Sequence, residues 1–459
     1  MQPAKQPPAY PIRIVIKYRS GTRIPYKYKA EKKTATASIR DSFDTLNQRY
    51  PKATLKPLFS KVRVKKLRKA VVPNNKANED LVPVEDLSLF FCIEPDPGQD
   101  FESLLDSLNA MPDVDYAYLE GSPAPPPDFD PSNDTLARFQ DYILPAPVGI
   151  NAIHANKFPG GDGQGVQFID IEQGWLLNHE DLLAANIQLL WGVNKQFFDH
   201  GTAVLGQMVA TDNDKGIVGI ARNCRAAVIS QWSSAGRLET AQAILKATES
   251  LLPGDVLLIE AQIDVPLESG NYFPVEVERA TMEVLRHAFN KGIIVIEAAG
   301  NGGKHGGNNL NSFVAGSAGT ILNPNTTSFI DSMAIMVGAA SSSVPHQRLP
   351  LSNFGTRVNC YAWGEKITTT GNEFDPHSKI KYTHNFGGTS GASPIIAGAA
   401  VVLQAVRQAT SGTRFSPREM RALLSATVNG TPSANPSHDQ IGVMPDLKTI
   451  LNNAFPGVA

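Results

Sequence analysis

A serine stands among small residues near the end of the chain, in the stretch Gly387-Gly-Thr-Ser-Gly-Ala-Ser-Pro394. Small and apolar residues continue to Val406, which predicts a closely packed helix that starts near Ser390, with Pro394 suited to its first turn. Free N–H groups at a helix N-terminus point at negative charge that develops nearby. The hydroxyl of Ser390 is therefore a candidate nucleophile.

A serine nucleophile needs a base beside it and a third group that orients the base. His200 stands at the start of a small-residue run that predicts a helix, and Asp170 follows an apolar run that predicts a strand. Glu172 is the alternative acid, because it stands close to the same strand end. Asn301 follows another apolar strand, where its side-chain amide can donate to an oxyanion.

These stretches together resemble the subtilisin-like serine protease family, over roughly residues 140 to 450. The family's aspartate, histidine, oxyanion and serine motifs are matched in order by Phe168-Ile-Asp170 with Asn178-His-Glu-Asp-Leu182, His200-Gly-Thr202, Ala298-Ala-Gly-Asn301 and Gly388-Thr-Ser-Gly-Ala-Ser-Pro394. Four motifs in the family's order are a specific signal. The resemblance implies a subtilisin-like serine endopeptidase that acts on protein or peptide substrates.

The resemblance also implies the role of each site residue. Ser390 attacks the peptide carbonyl to form an acyl-enzyme, His200 takes and returns its proton, and Asp170 holds the imidazole. Asn301 and the backbone N–H of Ser390 bind the oxyanion. Two other functions stay open at this point: a catalytically silent binding module that keeps the fold, and a peptide ligase or macrocyclase in which an amine captures the acyl-enzyme.

Two positions depart from the family's pattern. The aspartate motif usually has a glycine two residues after the acid, whereas Asp170-Ile-Glu-Gln-Gly174 carries two extra residues and an additional acid. The second histidine of the helix is replaced by Ala203, which is not a triad position. Asp170 is the preferred acid on the sequence, because it follows the strand directly.

The resemblance places the substrate-binding residues in two segments, Glu260, Ala261, Gln262 and Ala298, Ala299, Gly300. The first replaces a Ser-Leu-Gly segment that pairs with the substrate backbone beside the first specificity pocket. Glu260 and Glu297 place two carboxylates near that pocket, which suggests a preference for a basic side chain before the scissile bond. The alternative is a structural role for both acids, since buried acids are commonly hydrogen-bonded.

The loop Ala210-Thr-Asp-Asn-Asp-Lys-Gly-Ile217 matches in length and position a calcium-binding loop of the family. Asn213, loop carbonyls and Asp181 would supply the oxygen ligands. The alternative is a polar turn, which Lys215 favours. No cofactor is expected for the chemistry itself.

The pattern from residue 139 to 459 predicts the catalytic domain, an α/β fold. Apolar runs at 165–169, 226–229, 256–259 and 293–296 alternate with predicted helices at 201–209, 239–250 and 276–290. Near-continuous apolar strands separated by helices indicate a mainly parallel sheet with helices on both faces. In such sheets the chemistry gathers at the carboxyl ends of the strands.

Residues 1–120 predict a small α+β, ferredoxin-like domain. Strands are predicted at 12–17, 87–93 and 114–119, and helices at 39–50 and 101–109. The order of elements resembles the family's propeptides, which act as folding aids and cleft inhibitors. Residues 121–138 contain a proline-rich linker, so cleavage of a precursor is expected between about Glu120 and Arg138.

Composition excludes several other classes of protein. The net charge of −2 gives no support for a nucleic-acid partner, and the basic run Lys61–Lys69 is read as a solvated face. Three cysteines cannot form a disulfide framework, although a Cys224–Cys360 pair stays open. Neither a signal peptide nor a membrane span is predicted, and the protein is expected to be a monomer; relatives of this kind are usually secreted, so the compartment stays open.

Overall fold

The computed structural model describes residues 13–22, 54–59, 85–94, 100–120, 122–123, 137–213, 215–265, 270–303, 306–372 and 374–457. The helix predicted at 39–50, the basic run at 61–69 and most of the proline-rich linker lie outside the described residues.

The N-terminal part contains a four-stranded antiparallel sheet. Its strands are β1 (Arg13–Tyr18), β2 (Thr54–Pro57), β3 (Phe90–Glu94) and β4 (Val114–Glu120), in the spatial order β2-β3-β1-β4. Helix α1 (Phe101–Asn109) buries Leu104 and Leu108 in the apolar cluster of this sheet. Asp100 caps the helix by accepting from the Ser103 N–H, 3.1 Å away. The helix predicted at 101–109 is confirmed at both ends.

The larger part is built on a sheet of nine strands among the described residues. They are β6 (Gln167–Glu172), β7 (Gln188–Trp191), β8 (Arg225–Ser230), β11 (Val256–Ile259), β14 (Ile294–Ala298), β16 (Ile335–Ala340), β17 (Cys360–Trp363), β20 (Gly430–Pro432) and β21 (Val443–Pro445). Their order is β20-β21-β17-β16-β14-β11-β6-β8-β7, with only the β20–β21 pair antiparallel. The predicted mainly parallel α/β sheet is confirmed.

Short strands lie outside that sheet. They are β5 (Ser122–Pro123), β9 (Trp232–Ser234), β10 (Arg237–Leu238), β12 (Gln262–Asp264), β13 (Asn271–Pro274), β15 (Gly302–Gly303), β18 (Ile367–Thr370) and β19 (Tyr382–Phe386). Strands β15, β13, β12 and β5 form one antiparallel sheet in that order, and β18 pairs with β19 in a hairpin.

Helices cover both faces of the central sheet. The remaining ones are α2 (Ala152–Ala155), α3 (Phe198–Val209), α4 (Thr240–Ser250), α5 (Arg279–Asn290), α6 (Thr389–Ser411), α7 (Pro417–Ser425), α8 (Pro436–Asp439) and α9 (Leu447–Ala454). Helix α3 packs against α6, and α4 packs against α5, so the sheet lies between two helical layers. Every side chain of β11 is fully buried, and burial of each stabilises the fold by about 1.5–3 kcal/mol.

Helix α6 is the longest helix of the described residues. Its 23 residues are long and apolar enough to cross a membrane, but the apolar window is entirely buried inside the protein. A helix that is apolar all round in this setting is a core helix. The small side chains of the sequence run allow α6 to pack closely against β14, β16 and β17.

The N-terminal sheet packs on the layer formed by α4 and α5. Phe90 of β3 belongs to the same apolar core as the helices of the larger part. The Ala280 N–H at the start of α5 donates to the Tyr118 hydroxyl over 3.1 Å, and the Glu85 N–H donates to Glu283 over 2.9 Å. Polar and apolar contacts together hold the N-terminal sheet against the larger part.

The three cysteines, Cys92, Cys224 and Cys360, are separate buried thiols. Burial raises the pKa of Cys224 to about 12 and that of Cys92 to about 11. The open alternative of a Cys224–Cys360 disulfide is therefore wrong, and both thiols act as small apolar side chains.

Candidate active site

Ser390 lies in the first turn of α6, at the start predicted from the sequence. Gly388, with a φ of 76°, leads into the helix, a backbone conformation that side chains other than glycine rarely adopt. Ser390 is 7% exposed and lines a cleft with about 390 Å³ of empty space. Pro394 lies in the second turn rather than the first, so the Ser390 carbonyl lacks the usual helical N–H partner four residues on.

His200 lies in the first turn of α3 and lines the same cleft. Its ring packs edge-to-face against Phe386, with 5.3 Å between the ring centroids. Nε2 has no hydrogen-bond partner among the described residues, whereas Nδ1 lies 2.6 Å from Glu172 Oε1. When Nδ1 carries the ring proton and donates to Glu172, the lone pair of Nε2 is free to accept the proton of a nucleophile.

Glu172, and not Asp170, is the acid that contacts His200. Asp170 is fully buried and its Oδ2 accepts from the indole N–H of Trp175 over 2.6 Å. The expected Asp170–His200 pair is wrong because β6 continues for two residues beyond Asp170. The strand ends at Glu172, opposite Ser230 of β8, and the carboxyl end of the strand is where the cleft lies.

A signal for this assignment exists in the sequence. Gly174 stands two residues after Glu172, which is the spacing that the family's motif has between its acid and its glycine. Asp170 was preferred because it follows the predicted strand directly, although the spacing to Gly174 favours Glu172. With Glu172 as the acid, the motif needs no inserted residues.

Burial disfavours charge on both members of the Glu172–His200 pair. It lowers the pKa of His200 to about 4 and raises the pKa of Glu172 well above its usual range. Any step that forms an imidazolium at His200 therefore depends on negative charge at Glu172 for compensation. Asp199 and Asp170 act in the opposite direction: they raise the pKa of His200, but by less than burial lowers it.

Asn301 is held in one orientation by the start of α6. The Thr389 N–H donates to Asn301 Oδ1 over 2.8 Å, so the amide oxygen faces the helix and Nδ2 is the donor end. Nδ2 donates to Gln262 Oε1 over 3.1 Å, and the Asn301 N–H donates to the same oxygen over 2.8 Å. The side chain is thus arranged as a donor beside Ser390, which is what an oxyanion requires.

The two predicted pocket segments lie at the ends of neighbouring strands. Glu260, Ala261, Gln262 and Ala298 line the cleft together with Ser390. Ala299 and Gly300 do not line it: the Ala299 carbonyl accepts from Asn353, and a Cβ at Gly300 would collide with the same amide. Sequence reasoning missed four lining residues: Gln173, Phe197, Gln231 and Thr389. Of these, only Thr389 stands in one of the four family motifs, beside Ser390.

Only one of the two predicted pocket acids faces the cleft. Glu297 is fully buried in a cluster with Glu276 and Arg357, where Glu297 Oε1 accepts from the Glu276 N–H over 3.0 Å. Arg357 binds Glu276 with two hydrogen bonds of 2.7 Å each. Glu297 therefore has the structural role, and the hypothesis of two carboxylates at one pocket is wrong.

The predicted calcium residues lie together but are surrounded by donors. Asp181 Oδ2 accepts from the Ile217 N–H over 2.9 Å, and Tyr382 and Asn213 also hydrogen-bond to this carboxyl. Asn213 Oδ1 accepts from the Lys215 N–H over 3.1 Å. Calcium needs six to eight oxygen ligands. Asp181 Oδ2 and Asn213 Oδ1 already accept from backbone N–H groups, whereas Asp181 Oδ1 is buried with no hydrogen-bond partner among the described residues. The backbone donors at Asp181 and Asn213 favour the polar turn, and no cluster of three or more metal-binding side chains occurs in the described residues.

Strand β5 brings the chain after the N-terminal sheet alongside the cleft. Ser122 pairs with Asp264 and Pro123 with Ile263, in an antiparallel arrangement on β12. Strand β12 also contains Gln262, which lines the cleft. A segment at the edge of β12 has the place that the sequence resemblance gives to a bound peptide backbone.

The profile of the subtilase family matches residues 191–443, a range that includes His200, Asn301 and Ser390 and begins after Glu172. Subtilisin DY from Bacillus licheniformis is 29% identical over 262 residues, which are 56% of this chain and 84% of that protein. Subtilisin E from Bacillus subtilis (strain 168) is 26% identical over 271 residues, and the match covers 57% of this chain and 62% of subtilisin E.

Solved structures show the same fold over nearly the whole chain. The epidermin leader peptide processing serine protease from Staphylococcus aureus has a TM-score of 0.59 at 16% identity, covering 98% of this chain and 100% of that chain. Fervidolysin from Fervidobacterium pennivorans has a TM-score of 0.55 at 18% identity, covering 97% and 61%. Because the family profile matches more than half of the residues of this chain, the chain belongs to the subtilase family of subtilisin-like serine endopeptidases.

Proposed function

We propose that the protein hydrolyses peptide bonds in proteins or peptides through a triad of Ser390, His200 and Glu172. The observation that carries the proposal is the 2.6 Å contact between His200 Nδ1 and Glu172, with Nε2 left free in the cleft that Ser390 lines. The Ser390 hydroxyl attacks the substrate carbonyl while His200 Nε2 takes its proton, and the negative charge of Glu172 stabilises the imidazolium.

The oxyanion of the tetrahedral intermediate is bound by Asn301 Nδ2 and the Ser390 N–H. Asn301 is held beside the start of α6 by the Thr389 N–H, and the Ser390 N–H belongs to the first turn of that helix, where backbone N–H groups lack helical partners. On collapse, His200 returns the proton to the leaving amine and the acyl group stays on Ser390. Water, activated by the same histidine, then hydrolyses the ester and frees the serine.

The chain is also proposed to be a precursor, with residues 1–120 as a propeptide-like inhibitor and folding aid. Two contacts support this part: the N-terminal sheet packs on α4 and α5, and Ser122–Pro123 lies along the cleft edge at β12. A peptide that occupies that edge excludes substrate from it. Processing is expected between Glu120 and Arg138, in or beside the linker at 121–138.

Intact mass over time, for the wild type and Ser390→Ala, tests the proposal in the presence of an unselective peptide. We expect the wild type to lose a fragment of the N-terminal part and to cut the peptide, while the variant stays whole. A peptide product joined rather than cut would favour a ligase or macrocyclase. If wild type and variant both stay whole and inert, the silent binding module becomes the better description.

A further inference from the structure

Glu260 is a buried acid that the triad does not use. It follows β11, its N–H donates to the Ile171 carbonyl over 3.2 Å, and it is 6% exposed. Its Oε1 is hydrogen-bonded to the Ser393 hydroxyl in α6, one turn after Ser390. Its Oε2 is buried, has no hydrogen-bond partner among the described residues, and belongs to a side chain that lines the cleft beside Ser390.

The hydrogen bonds of Ser393 show which partner supplies the proton. Ser393 Oγ lies 2.7 Å from the Thr389 carbonyl as well as close to Glu260 Oε1. A hydroxyl has one proton, and a carbonyl oxygen can only accept. When Ser393 donates to Thr389, its contact with Glu260 is a hydrogen bond only if the carboxyl carries a proton. The geometry is that of a neutral carboxylic acid that donates to Ser393.

The charges around Glu260 favour the same neutral form. Asp170 and Glu172 face it from β6, and His200 on α3 is the only basic side chain that lines the cleft in the described part of the chain. Glu172 is already paired with that histidine. Burial, followed by Glu172, raises the pKa of Glu260 well above its usual range.

We propose that Glu260 is a positioning residue that works as the neutral acid, and that its ionisation at alkaline pH switches the site off. This inference rests on the proposed function of Ser390. As the neutral acid, Glu260 donates to Ser393, and Ser393 donates to the Thr389 carbonyl. These two hydrogen bonds fix the first turn of α6 and hold Ser390 toward His200.

Loss of the Glu260 proton changes two contacts at once. Oε1 no longer has a proton to donate, so Ser393 cannot satisfy both Glu260 and Thr389. The unpartnered Oε2 becomes part of an anion beside Ser390, where it competes with His200 for the serine proton and repels the oxyanion of the intermediate. Both changes slow acylation.

The pH dependence of peptide cleavage by the full chain, followed after its processing is complete, tests this inference. The measured quantity is the ratio of kcat/KM at about pH 9.5 to that at about pH 7. We expect the ratio to be roughly tenfold lower in the wild type than in Glu260→Gln, because the amide still donates to Ser393 and cannot ionise. Glu297→Gln, a matched change at a buried acid outside the cleft, should keep the alkaline loss of the wild type.

Two outcomes overturn the inference. One is a wild type with no alkaline loss of kcat/KM, and the other is an alkaline loss that Glu260→Gln retains. Reaction of Ser390 with a fluorophosphonate separates this failure from that of the proposed function. If the wild type reacts through Ser390 but Glu260→Gln leaves the ratio of kcat/KM at the two pH values unchanged, only the present inference fails. If Ser390 does not react at any pH, the proposed function fails as well.

A second measurement does not depend on activity. A protonated carboxyl group absorbs apart from a carboxylate in the infrared, so the wild-type spectrum minus that of Glu260→Gln isolates the Glu260 band. We expect the band of the protonated acid near neutral pH and its loss at alkaline pH. A carboxylate band already present near neutral pH overturns the inference, even where the variant is poorly active.

Discussion

Glu172 Oε1 lies 2.6 Å from His200 Nδ1, whereas Asp170, two residues earlier on the same strand, accepts from the Trp175 indole. Side chains two residues apart on a strand point to the same face, so both acids are directed toward α3, and only the one at the strand end contacts the histidine. The same fold thus places a glutamate where the aspartate was expected. The longer side chain spans the distance from the strand end to the imidazole.

Substitutions at the two acids distinguish their roles. Glu172→Gln should lower kcat/KM by roughly 10³–10⁴, because the amide cannot offset the charge of the imidazolium. Asp170→Asn is the matched control, since it likewise replaces an acid on the same strand by the corresponding amide. It should change kcat/KM by less than about tenfold, as Asp170 contacts Trp175 and not His200. A larger loss at Asp170 than at Glu172 would restore the original assignment.

Asn301→Ala should lower kcat while leaving KM nearly unchanged. The lost amide bonds to charge that develops only in the transition state, so substrate binding is spared. The expected loss is about 10²–10³ in kcat, a magnitude known from subtilisin, which belongs to the same family. Thermal melting should be compared in parallel, because Asn301 also accepts from Thr389. An equal rise in KM with kcat intact would assign Asn301 to ground-state binding.

The parts of the fold that depend on local pattern could be predicted from the sequence. Both ends of strand β11 (Val256–Ile259) and of helix α1 (Phe101–Asn109) could be predicted, because burial of their side chains imposes a regular pattern of apolar residues on the sequence. The start of α6 near Ser390 was predicted because glycine and small residues mark it. The end of β6 was missed, since polar residues at 170 and 172 conceal a strand that continues into the site.

Contacts between residues distant in the chain could not be predicted in this way. Glu260 and Ser393 are 133 residues apart, and nothing in either local sequence indicates that one bonds the other. Tyr382 lies about 200 residues from Asp181, beyond any motif that describes the loop at 210–217. Such pairs follow from how β11, α6 and the β18–β19 hairpin assemble. The tertiary arrangement therefore supplies the contacts on which the proposal for Glu260 and the interpretation of the loop at 210–217 depend.

The stability of the protein should not depend on calcium. Asp181 accepts from the Ile217 N–H and is hydrogen-bonded by Tyr382, so the loop is held by the protein's own donors. Excess chelator should leave the melting temperature unchanged. Tyr382→Phe should lower the free energy of unfolding by about 1–3 kcal/mol, since Glu180 loses the donor of a part-buried hydrogen bond. A fall in melting temperature with chelator, reversed by calcium, would contradict the prediction.

Acid should destabilise the fold partly through His287. Burial, assisted by Lys291, lowers the pKa of His287 to about 4, below its usual 6.5. Between those two values the unfolded chain binds a proton that the folded protein excludes, so the free energy of unfolding falls as the pH falls. The contribution reaches roughly 3 kcal/mol near pH 4.

Denaturant unfolding of the wild type and His287→Gln across that pH range measures this term. The variant should lose less of its stability on acidification than the wild type, whatever its stability at neutral pH. His154→Gln is the control, because that histidine lies near the surface, beside Asn452. Parallel pH curves for the wild type and His287→Gln would show that His287 is protonated in the folded protein.

Arg13 should control how tightly the N-terminal part is retained after processing. Its guanidinium is buried and bonds Glu120 in its own sheet, and it lies 3.4 Å from Glu239 at the start of α4. Arg13→Ala leaves the partly buried Glu120 and Glu239 without this cation, which weakens the contact between the N-terminal sheet and α4. Cleaved protein should then release the N-terminal fragment faster, as followed by size-exclusion chromatography and by the onset of peptide cleavage. Arg19→Ala is the control, since Arg19 bonds Pro112 and Val114 within its own domain. Equal retention of the N-terminal fragment in the wild type and Arg13→Ala would show that the apolar contacts of Phe90 and its neighbours, and not Arg13, hold it in place.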